Sequence, residues 1–426
     1  MIDENPVTVN RGTGAGRRRR PRCQAHRFGV FLRNGGCLKL IPSISANMSI
    51  SFRILKRSKR SRARLGLLQT PHGEVETPAL VGVATQASVK TLTSEAALQT
   101  GSPLLICNTL HLHLKPGEAA VKAGGGLHKF MNWPRPIMTD SGGYQVFSLG
   151  FGMDHGMGKI LKTKTGARVS RYQQPKLLKI GEDGVTFTSY LDGRQIFMGP
   201  KESIRIQEKL GADIIFAFDE CTSPVADHEY TAFSMERTHR WAQVCLRTKR
   251  TGQALYGVVQ GGKFEDLRRR SARFIGGLPF DGFGIGGEFG DDKKLMARMI
   301  GWVVDELPEA RPRHLLGIGH PEDILPIVQA GADTFDCTVP THYARHGTAF
   351  TSTGRLDLNQ SRFLKDQGPL DRKCGCFVCG SYRRSYLCHL FRAKEATVMS
   401  LLTFHNLHYF NELVRRVRLE IKRGRI

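Results

Sequence analysis

Several short apolar segments of this chain end on a polar side chain, with amphipathic stretches of roughly 10 to 20 residues between them. In the segment ADTFDCTVP, residues 332–340, the apolar run stops at Asp336. A single acid after a strand is usually a turn former or a helix N-cap. Here the pattern recurs, because other apolar segments end at Asn108, Asp140, Asp219 and Gln260. This repetition is the feature that most constrains the fold.

Continuous apolar strands separated by helices predict parallel strands covered on both faces. Seven or eight such units over about 280 residues favour an α/β fold of the (β/α)8 TIM barrel type over a doubly wound sheet, which is the structural alternative. The helices are predicted at 229–249, 264–276, 292–306 and 322–330. In a barrel every strand opens at its carboxyl end on the same rim, so the polar residues above are expected to form one pocket.

Two segments interrupt this pattern after the strand that ends at Asp140. GEDGVTFTSYLDGRQIFM predicts an inserted β-hairpin with Asp192-Gly193 as its turn, which makes the barrel irregular. Residues 157–179 carry seven Lys and Arg and no acid. That basic segment is interpreted either as a solvated loop or as a phosphate contact.

The charge of the chain indicates a polyanionic partner. The 63 Lys and Arg exceed the 38 Asp and Glu, for a formal net charge of +25. Such a surplus is costly in self-repulsion unless a polyanion binds, and nucleic acid is the first candidate, ahead of an acidic membrane surface. No run of about 18 apolar residues is present, so no transmembrane helix is predicted. With nucleic acid as the favoured polyanion, no membrane partner is predicted.

Residues 1–47 differ from the rest, with nine Lys and Arg, two Asp and Glu and no lasting periodicity. They are interpreted as an organelle-targeting peptide, as a basic nucleic-acid arm, or as an artefact of a start that truly lies at Met48. The remainder still carries +18, so the charge argument does not depend on them. The predicted domains are this basic leader, a catalytic barrel over 48–365 and a zinc-binding helical subdomain over 366–426.

A metal site is predicted from KCGCFVCG, which places Cys374, Cys376 and Cys379 in a C-x-C-x2-C pattern. Three soft thiolates in a tight loop suit Zn2+, and four protein ligands make a zinc site structural rather than catalytic. The residues alone leave the fourth ligand open between His405, expected to open the apolar helix HNLHYFNELVRRVRLEI, and Cys388. With the other cysteines scattered, no disulfide framework is predicted, which favours a reducing cytoplasm.

The last helix is rich in arginine, including Arg415 and Arg416. A solvated face would explain this composition. In a strongly basic protein we favour a surface that contacts phosphates.

Several long motifs of the chain resemble those of one protein family. SRARLGLLQTPHGEVETPAL, NTLHLHLKPG, MTDSGGYQVFSL, FAFDECTSP, YGVVQGG, FDCTVPTHYARHGTAF and CGCFVC…HNL, in this order, are similar to tRNA-guanine transglycosylases, most closely to the bacterial branch. The similarity runs from about Met48 to the C-terminus. It implies an irregular (β/α)8 barrel with a zinc subdomain, and replacement of guanine at the tRNA wobble position by a 7-deazaguanine base.

The resemblance also implies roles for residues at matching positions. Asp336 matches the nucleophile that forms a covalent ribosyl intermediate, and Asp140 matches the general acid/base. The substrate-binding positions are those of Asp219, Gln260 and the backbone N–H of Gly287 around the base, Tyr144 and Leu316 on its two faces, and Ser141 and Asn108 as partners of the ribose and of a carboxylate. The resemblance selects His405 as the fourth zinc ligand. It also implies a cytoplasmic homodimer.

Two departures from the family pattern concern specificity. Bacterial members read Arg-Asn-Ala-Arg after PT, whereas this chain has His342, Tyr343, Ala344 and Arg345, so one anticodon-reading arginine is a histidine. His342 and Arg345 are the predicted tRNA-binding pair of this segment. The base-pocket segment is GGEFGDD, and the acid that senses the substituent of the incoming base is assigned to Glu288, Asp291 or Asp292. The expected incoming base is therefore 7-aminomethyl-7-deazaguanine, queuine or a variant of these.

Two other functions remain as alternatives. One is a non-catalytic tRNA-binding subunit of a transglycosylase complex, against which the presence of both carboxylates, Asp140 and Asp336, argues. The other is a zinc-stabilised barrel acting on a small molecule, against which the basic charge argues.

Overall fold

The computed structural model describes residues 50–147, 178–223, 225–287 and 292–426. It begins with an antiparallel three-stranded sheet of β1 (Ser51–Arg57), β2 (Arg64–Thr70) and β3 (Gly73–Thr77). Along β2, buried and partly exposed positions alternate, as expected for a strand with one face on a core.

Eight parallel strands then form a closed barrel, which confirms the predicted fold class. In chain order they are β4 (Ala79–Val83), β5 (Leu105–Cys107), β6 (Ile137–Thr139), β10 (Ile214–Phe216), β11 (Ala254–Val259), β12 (Gly282–Ile285), β13 (Arg313–Leu315) and β14 (Thr334–Cys337). Each strand pairs with its sequence neighbour in the barrel, and the last pairs with the first, Thr334 opposite Ala79. Both faces of these strands are buried, which explains their continuous apolar sequence.

Helices follow the barrel strands. Their bounds are Ser94–Gln99, Thr109–Leu114, Glu118–Ala123, Leu127–Phe130, Pro200–Leu210, His228–Thr248, Glu265–Gly276, Lys293–Val304, Pro321–Gln329 and Val339–Arg345. The four helices predicted from periodicity are present to within two residues at each end. Helix His228–Thr248 begins at an Asp227 N-cap that accepts from the Tyr230 amide.

The predicted hairpin is also present, as two strands of a larger insertion. Strands β7 (Leu178–Ile180), β8 (Val185–Thr188) and β9 (Gln195–Met198) form a separate antiparallel sheet. In the chain this sheet is inserted between β6 and β10. Gly193 has φ +74° in the β8–β9 turn, a conformation that glycine adopts without steric cost. The basic segment 157–179 lies outside the described residues except at its last two positions.

The barrel interior is filled from the end where its strands begin. Leu68 of β2 and Val75 of β3 belong to the same buried cluster as the interior side chains Ile214, Phe216 and Tyr256. The N-terminal sheet therefore packs against the interior of the barrel. Open space is found at the other end, where the strands finish.

A second core surrounds the cysteine-rich segment. It is built from strands β15 (Thr348–Thr351) and β16 (Gly354–Asp357), the 3-10 helix Ser361–Lys365, and helices Phe377–Ser381, Arg384–Arg392 and Thr397–Arg423. Its buried side chains extend from Ala344 to Phe404. The domain division at 365/366 stays a prediction.

The last helix begins earlier than expected. It starts at Thr397, so His405 lies in its third turn and does not open it. The preceding segment contributes buried Val398, Leu401 and Leu402, and no helix-breaking residue separates them from His405. Among the described residues, no helix is both long enough and apolar enough to cross a membrane.

Candidate active site and metal centre

A cavity of about 450 Å³ opens at the carboxyl ends of the barrel strands. Residues of β4, β5, β10, β11 and β14 line it, together with residues of the segments that follow the barrel strands. All nine residues predicted at the catalytic and substrate-binding positions contribute to this wall: Asn108, Asp140, Ser141, Tyr144, Asp219, Gln260, Gly287, Leu316 and Asp336. Residues up to 228 positions apart in the chain are therefore brought together, as the barrel topology requires.

Asp140 directly follows β6 and is held by four donors. The amides of Thr109 and Gly142 donate to Oδ1 at 2.8 and 3.1 Å, and Gln145 Nε2 donates to Oδ2 at 2.7 Å. Asn108 Nδ2 also donates to Oδ2. Burial raises the pKa of Asp140 to about 6, against the opposing effect of these donors. Both protonation states of this carboxyl are therefore accessible near neutral pH.

Asp219 lies deeper and is bound on both oxygens. Ser141 Oγ donates to Oδ1 at 2.9 Å and Gln260 Nε2 donates to Oδ2 at 2.6 Å. Within the described residues, Oε1 of Gln260 is buried and has no hydrogen-bond partner. Gly287, with φ +92°, lies beside this oxygen. The arrangement presents fixed hydrogen-bonding groups to a planar polar ligand.

Asp336 lies inside β14, one position before the last residue Cys337, whereas the sequence suggested that the strand ends at the acid itself. Its Oδ1 accepts from the Gly317 amide at 2.8 Å and lies 3.2 Å from Nε2 of His314. The side chain is 15% exposed, towards the cavity that it lines. A partly buried carboxylate with one oxygen held by donors is suited to act as a nucleophile.

Sequence reasoning missed several cavity residues, among them Gln145, His111, Cys221 and Thr338. Gln145 lies within the motif TDSGGYQ, and its spacing from Asp140 was the available signal. His111 follows β5, and its Nδ1 lies 2.8 Å from the hydroxyl of Tyr190 in the turn between β8 and β9 of the inserted sheet. The inserted sheet therefore contacts the wall of the cavity.

The four predicted tRNA-binding residues lie outside the cavity wall. His342 and Arg345 belong to helix Val339–Arg345, which follows Asp336, and His342 is exposed, with its ring 4.4 Å from that of His346. Arg415 and Arg416 are exposed on the last helix.

Acids on the same helix neutralise part of the expected basic face. Arg415 pairs with Glu412, and Arg423 and Arg425 pair with Glu420. The number of arginines alone therefore predicts more unpaired positive charge on this helix than the structure has.

The segment GGEFGDD is described only at its two ends. Gly286 and Gly287 line the cavity, whereas residues 288–291, including Glu288 and Asp291, lie outside the described residues. Asp292 caps helix Lys293–Val304, with Oδ1 accepting from the amides of Lys294 and Leu295. This carboxylate is therefore engaged as a helix cap and is not part of the cavity wall.

The predicted metal ligands form one cluster in the second core. Sγ of Cys374, Cys376 and Cys379 lie 3.8, 3.5 and 3.3 Å from Nδ1 of His405. All four ligand atoms lie within 4.8 Å of one another and could hold a metal ion. Cys388 is not in this group, because its thiol contacts the carbonyl of Gln360. The choice of His405 over Cys388 agrees with this geometry.

The last helix connects this cluster to the segment after Asp336. Nε2 of His405 lies 2.8 Å from the carbonyl of Phe350, which orients the ring. The next residue, Asn406, donates from Nδ2 to the carbonyls of Pro340 and Thr348 at 3.1 and 3.0 Å. Pro340 is four residues beyond Asp336, so the helix that carries His405 also anchors the helix beside the cavity.

Comparison with known proteins decides the family. The family model described as queuine tRNA-ribosyltransferase matches residues 58–426. The chain belongs to the queuine tRNA-ribosyltransferase family. A relative from Moorella thermoacetica named queuine tRNA-ribosyltransferase is 44% identical over 380 residues, covering 89% of this chain and 95% of the relative. One from Desulforamulus reducens with the same name is 44% identical over 381 residues, covering 89% and 96%.

An archaeal protein of this family is equally similar. The putative queuine tRNA-ribosyltransferase of Archaeoglobus fulgidus is 43% identical over 393 residues, covering 88% of this chain and 97% of the relative. As a queuine tRNA-ribosyltransferase family member this chain is a transferase that acts on tRNA, and the expected family is confirmed. The family match starts at residue 58, so the whole of the basic leader, residues 1–47, lies outside it.

Proposed function

We propose that the protein exchanges guanine at the wobble position of tRNA for a 7-deazaguanine base through a covalent intermediate on Asp336. The observation that supports this proposal is the convergence of Asp140, Asp219 and Asp336 on one cavity. The cavity lies at the rim where barrel enzymes hold their active sites. A base inside a folded loop must leave its stack to reach such a cavity.

In the first half-reaction, a carboxylate oxygen of Asp336 attacks C1′ of the ribose and the bond from C1′ to N9 of guanine breaks. The electron pair moves to N9, and Asp140 donates its proton there, so that guanine leaves neutral. In the second half-reaction, N9 of the incoming base gives its proton to Asp140 and attacks C1′. The ester bond breaks and restores the Asp336 carboxylate. Two inversions retain the β-linkage.

The raised pKa of Asp140 supports its double role. A carboxyl with a pKa of about 6 serves both as acid for the leaving base and as base for the entering one. Asn108 keeps this carboxyl in position through its hydrogen bond to Oδ2.

We assign recognition of the base to Asp219, Gln260 and Gly287 in the cavity wall. Asp219 accepts from the N–H edge of a guanine-type base, while Gln260 and the amide of Gly287 bind the exocyclic oxygen. A ligand that hydrogen-bonds to Asp219 would also compete with the existing 2.6 Å contact from Gln260. Tyr144 and Leu316 cover the two faces of the ring. Ser141 serves the ribose side.

The tRNA contacts are assigned to the rim and the last helix. His342 and Arg345 follow Asp336 on one short helix. We assign them to read the anticodon loop. Arg415 and Arg416 supply non-specific phosphate contacts, with Arg415 first having to leave Glu412. We assign the reaction to the cytoplasm. In support, none of the described cysteines forms a disulfide.

The ion in the cysteine cluster is assigned as zinc. For tetrahedral Zn2+ with Zn–S about 2.3 Å and Zn–N about 2.0 Å, sulfur and nitrogen ligands lie about 3.5 Å apart. The three Sγ–Nδ1 separations of 3.3 to 3.8 Å bracket this value. Cys374, Cys376, Cys379 and His405 would hold the ion with no open position, so that it stabilises the fold and takes no part in the chemistry.

We assign the protein as a homodimer, with an interface at exposed aromatic side chains near the cysteine cluster. Phe377 and Tyr386 are 47% and 46% exposed, and the rings of Tyr382 and Tyr386 stack at 5.8 Å. Exposed aromatic clusters of this kind are typical of protein interfaces. Light scattering of the wild type and of Tyr386→Glu tests this assignment, with a dimer that dissociates in the variant as the expected result.

The exchange reaction is tested with purified full-length protein, unmodified tRNA and radiolabelled guanine. Wild type should incorporate label, and Asp336→Asn should not. Asp192→Asn, at the exposed turn of the inserted sheet, is the matched control and should behave as wild type. Absence of incorporation by wild type would favour the non-catalytic tRNA-binding subunit, provided that tRNA still binds.

The incoming base is identified by mass spectrometry of nucleosides from tRNA treated with each candidate in turn. Queuine and 7-aminomethyl-7-deazaguanine give products of different mass. The candidate that gives the expected nucleoside at a physiological concentration is the substrate.

A further inference from the structure

A histidine inside the barrel lies directly beneath the proposed nucleophile. His314 is the middle residue of β13 and is fully buried. Its ring packs against Phe216, with ring centroids 5.5 Å apart, in the core below the cavity. It does not line the cavity wall, so it cannot contact the substrate through that surface. A polar ring in this position needs partners for both nitrogens.

Both nitrogens of His314 have such a partner on the neighbouring strand. Nδ1 lies 2.9 Å from Oγ1 of Thr334, and Nε2 lies 3.2 Å from Oδ1 of Asp336. In the parallel register His314 is opposite Thr334, and Asp336 is two residues further along β14 on the same face. The imidazole therefore spans one pleat of β14 and joins a buried hydroxyl to the carboxylate.

The chemistry of the partners defines the proton positions. An ionised carboxylate only accepts hydrogen bonds, so the proton of the ring must be on Nε2. In the neutral ring Nδ1 is then an acceptor, and the hydroxyl of Thr334 donates to it. This places Thr334 as the group that selects the tautomer able to donate to Asp336.

We propose that His314 is a positioning residue of the transferase reaction, which holds Oδ1 of Asp336 so that Oδ2 attacks the ribose. The Gly317 amide donates to the same Oδ1 at 2.8 Å, and together the two donors fix the rotation of the carboxylate. They also stabilise its ionised form, which is the form that attacks. The inference rests on the proposed function, because it takes Asp336 as the nucleophile.

The test compares wild type with His314→Phe and His314→Gln in the exchange assay. Phenylalanine fills the space but has no donor, so kcat should fall about 10- to 100-fold while the KM for tRNA stays within about twofold. Glutamine has an amide that donates to Asp336 and an oxygen that accepts from Thr334, so it should restore most of kcat. Thr334→Val, which leaves His314 in place, should lower kcat by a smaller factor.

The pH profile separates positioning from a merely structural role. Loss of a donor to the ionised carboxylate raises the pKa of Asp336. Single-turnover release of guanine needs ionised Asp336 and protonated Asp140, so the acidic limb of that release in His314→Phe should move up by about one pH unit. The other ionisable groups on the cavity wall are His111, Asp140, Tyr144, Asp219 and Cys221, and none of them is altered. Melting curves show the folded fraction of each variant.

A wild-type kcat and acidic limb in His314→Phe would overturn the inference. So would a loss that equals the loss of folded protein, or a glutamine variant as poor as the phenylalanine variant. Failure of the proposed function is seen separately, because the wild type itself would then neither incorporate guanine nor form an Asp336-dependent covalent adduct with RNA on a denaturing gel.

Discussion

Replacing Gln145 with leucine removes one of the four donors to Asp140 and leaves those of Asn108, Thr109 and Gly142. A hydrogen bond to a charged group contributes about 1.5 to 3 kcal/mol, and one pKa unit corresponds to about 1.4 kcal/mol. Removal of a donor that favours the charged form raises the pKa. The pKa of Asp140, about 6 in the wild type, should therefore rise to about 7 to 8 in Gln145→Leu.

Single-turnover release of labelled guanine from tRNA measures this change. Release needs protonated Asp140, so its rate falls as the pH rises through the pKa. The midpoint of that fall should move from about pH 6 to about 7 to 8. At pH 7.5 the variant should thus retain a larger fraction of its own maximal rate than wild type does.

Gln260→Leu is the matched control. Gln260 donates to Asp219 at 2.6 Å just as Gln145 donates to Asp140 at 2.7 Å, in the same cavity. Its loss should raise the KM for the free base and leave the midpoint of guanine release unchanged. A midpoint in Gln145→Leu that stays in place or moves down would refute the assignment of this ionisation to Asp140.

Three further outcomes are expected. Cys379→Ser should lose the metal ion, measured by elemental analysis, and melt at a lower temperature, because a closed metal site contributes folding free energy. A variant with a full complement of metal and wild-type melting would contradict this. Arg64→Met breaks a buried ion pair with Asp333, the two side chains being 3% and 0% exposed, and should lower the free energy of unfolding in urea by about 3 to 5 kcal/mol. Arg57→Met breaks an exposed pair with Glu309, 61% and 56% exposed, and should cost less than about 1 kcal/mol, so equal losses would refute the distinction. The logarithm of tRNA affinity should fall linearly with the logarithm of salt concentration, and a flat dependence would exclude phosphate contacts as the main source of affinity.

The barrel and its rim could be predicted from sequence because strand ends are marked by a change from apolar to polar residues. Asp140 directly follows β6, and Gln260 directly follows β11, as the pattern indicated. Asp336 differs by one position, because β14 continues to Cys337 beyond the acid. A strand can continue through a polar residue whose side chain faces the cavity. The change from apolar to polar residues therefore does not show whether the strand ends there or continues.

Other features depend on contacts that the chain pattern does not contain. His314 was not singled out because it lies in an apolar segment, although it shares a face with Leu316 two residues on. The start of the last helix was misplaced at His405 because the apolar residues from Thr397 were not joined to it. Its free charge was overstated because Glu412 and Glu420 were not matched to the arginines one turn away.

The neighbouring residues His405 and Asn406 give the last helix a consequence beyond stability. One is a ligand of the predicted ion, and the other anchors the segment that follows Asp336, the proposed nucleophile. Partial loss of metal should therefore first be detected as slower turnover, at a site that shares no atom with the chelated cluster. Wherever the supply of the metal fluctuates, the extent of wobble-base modification would report on it.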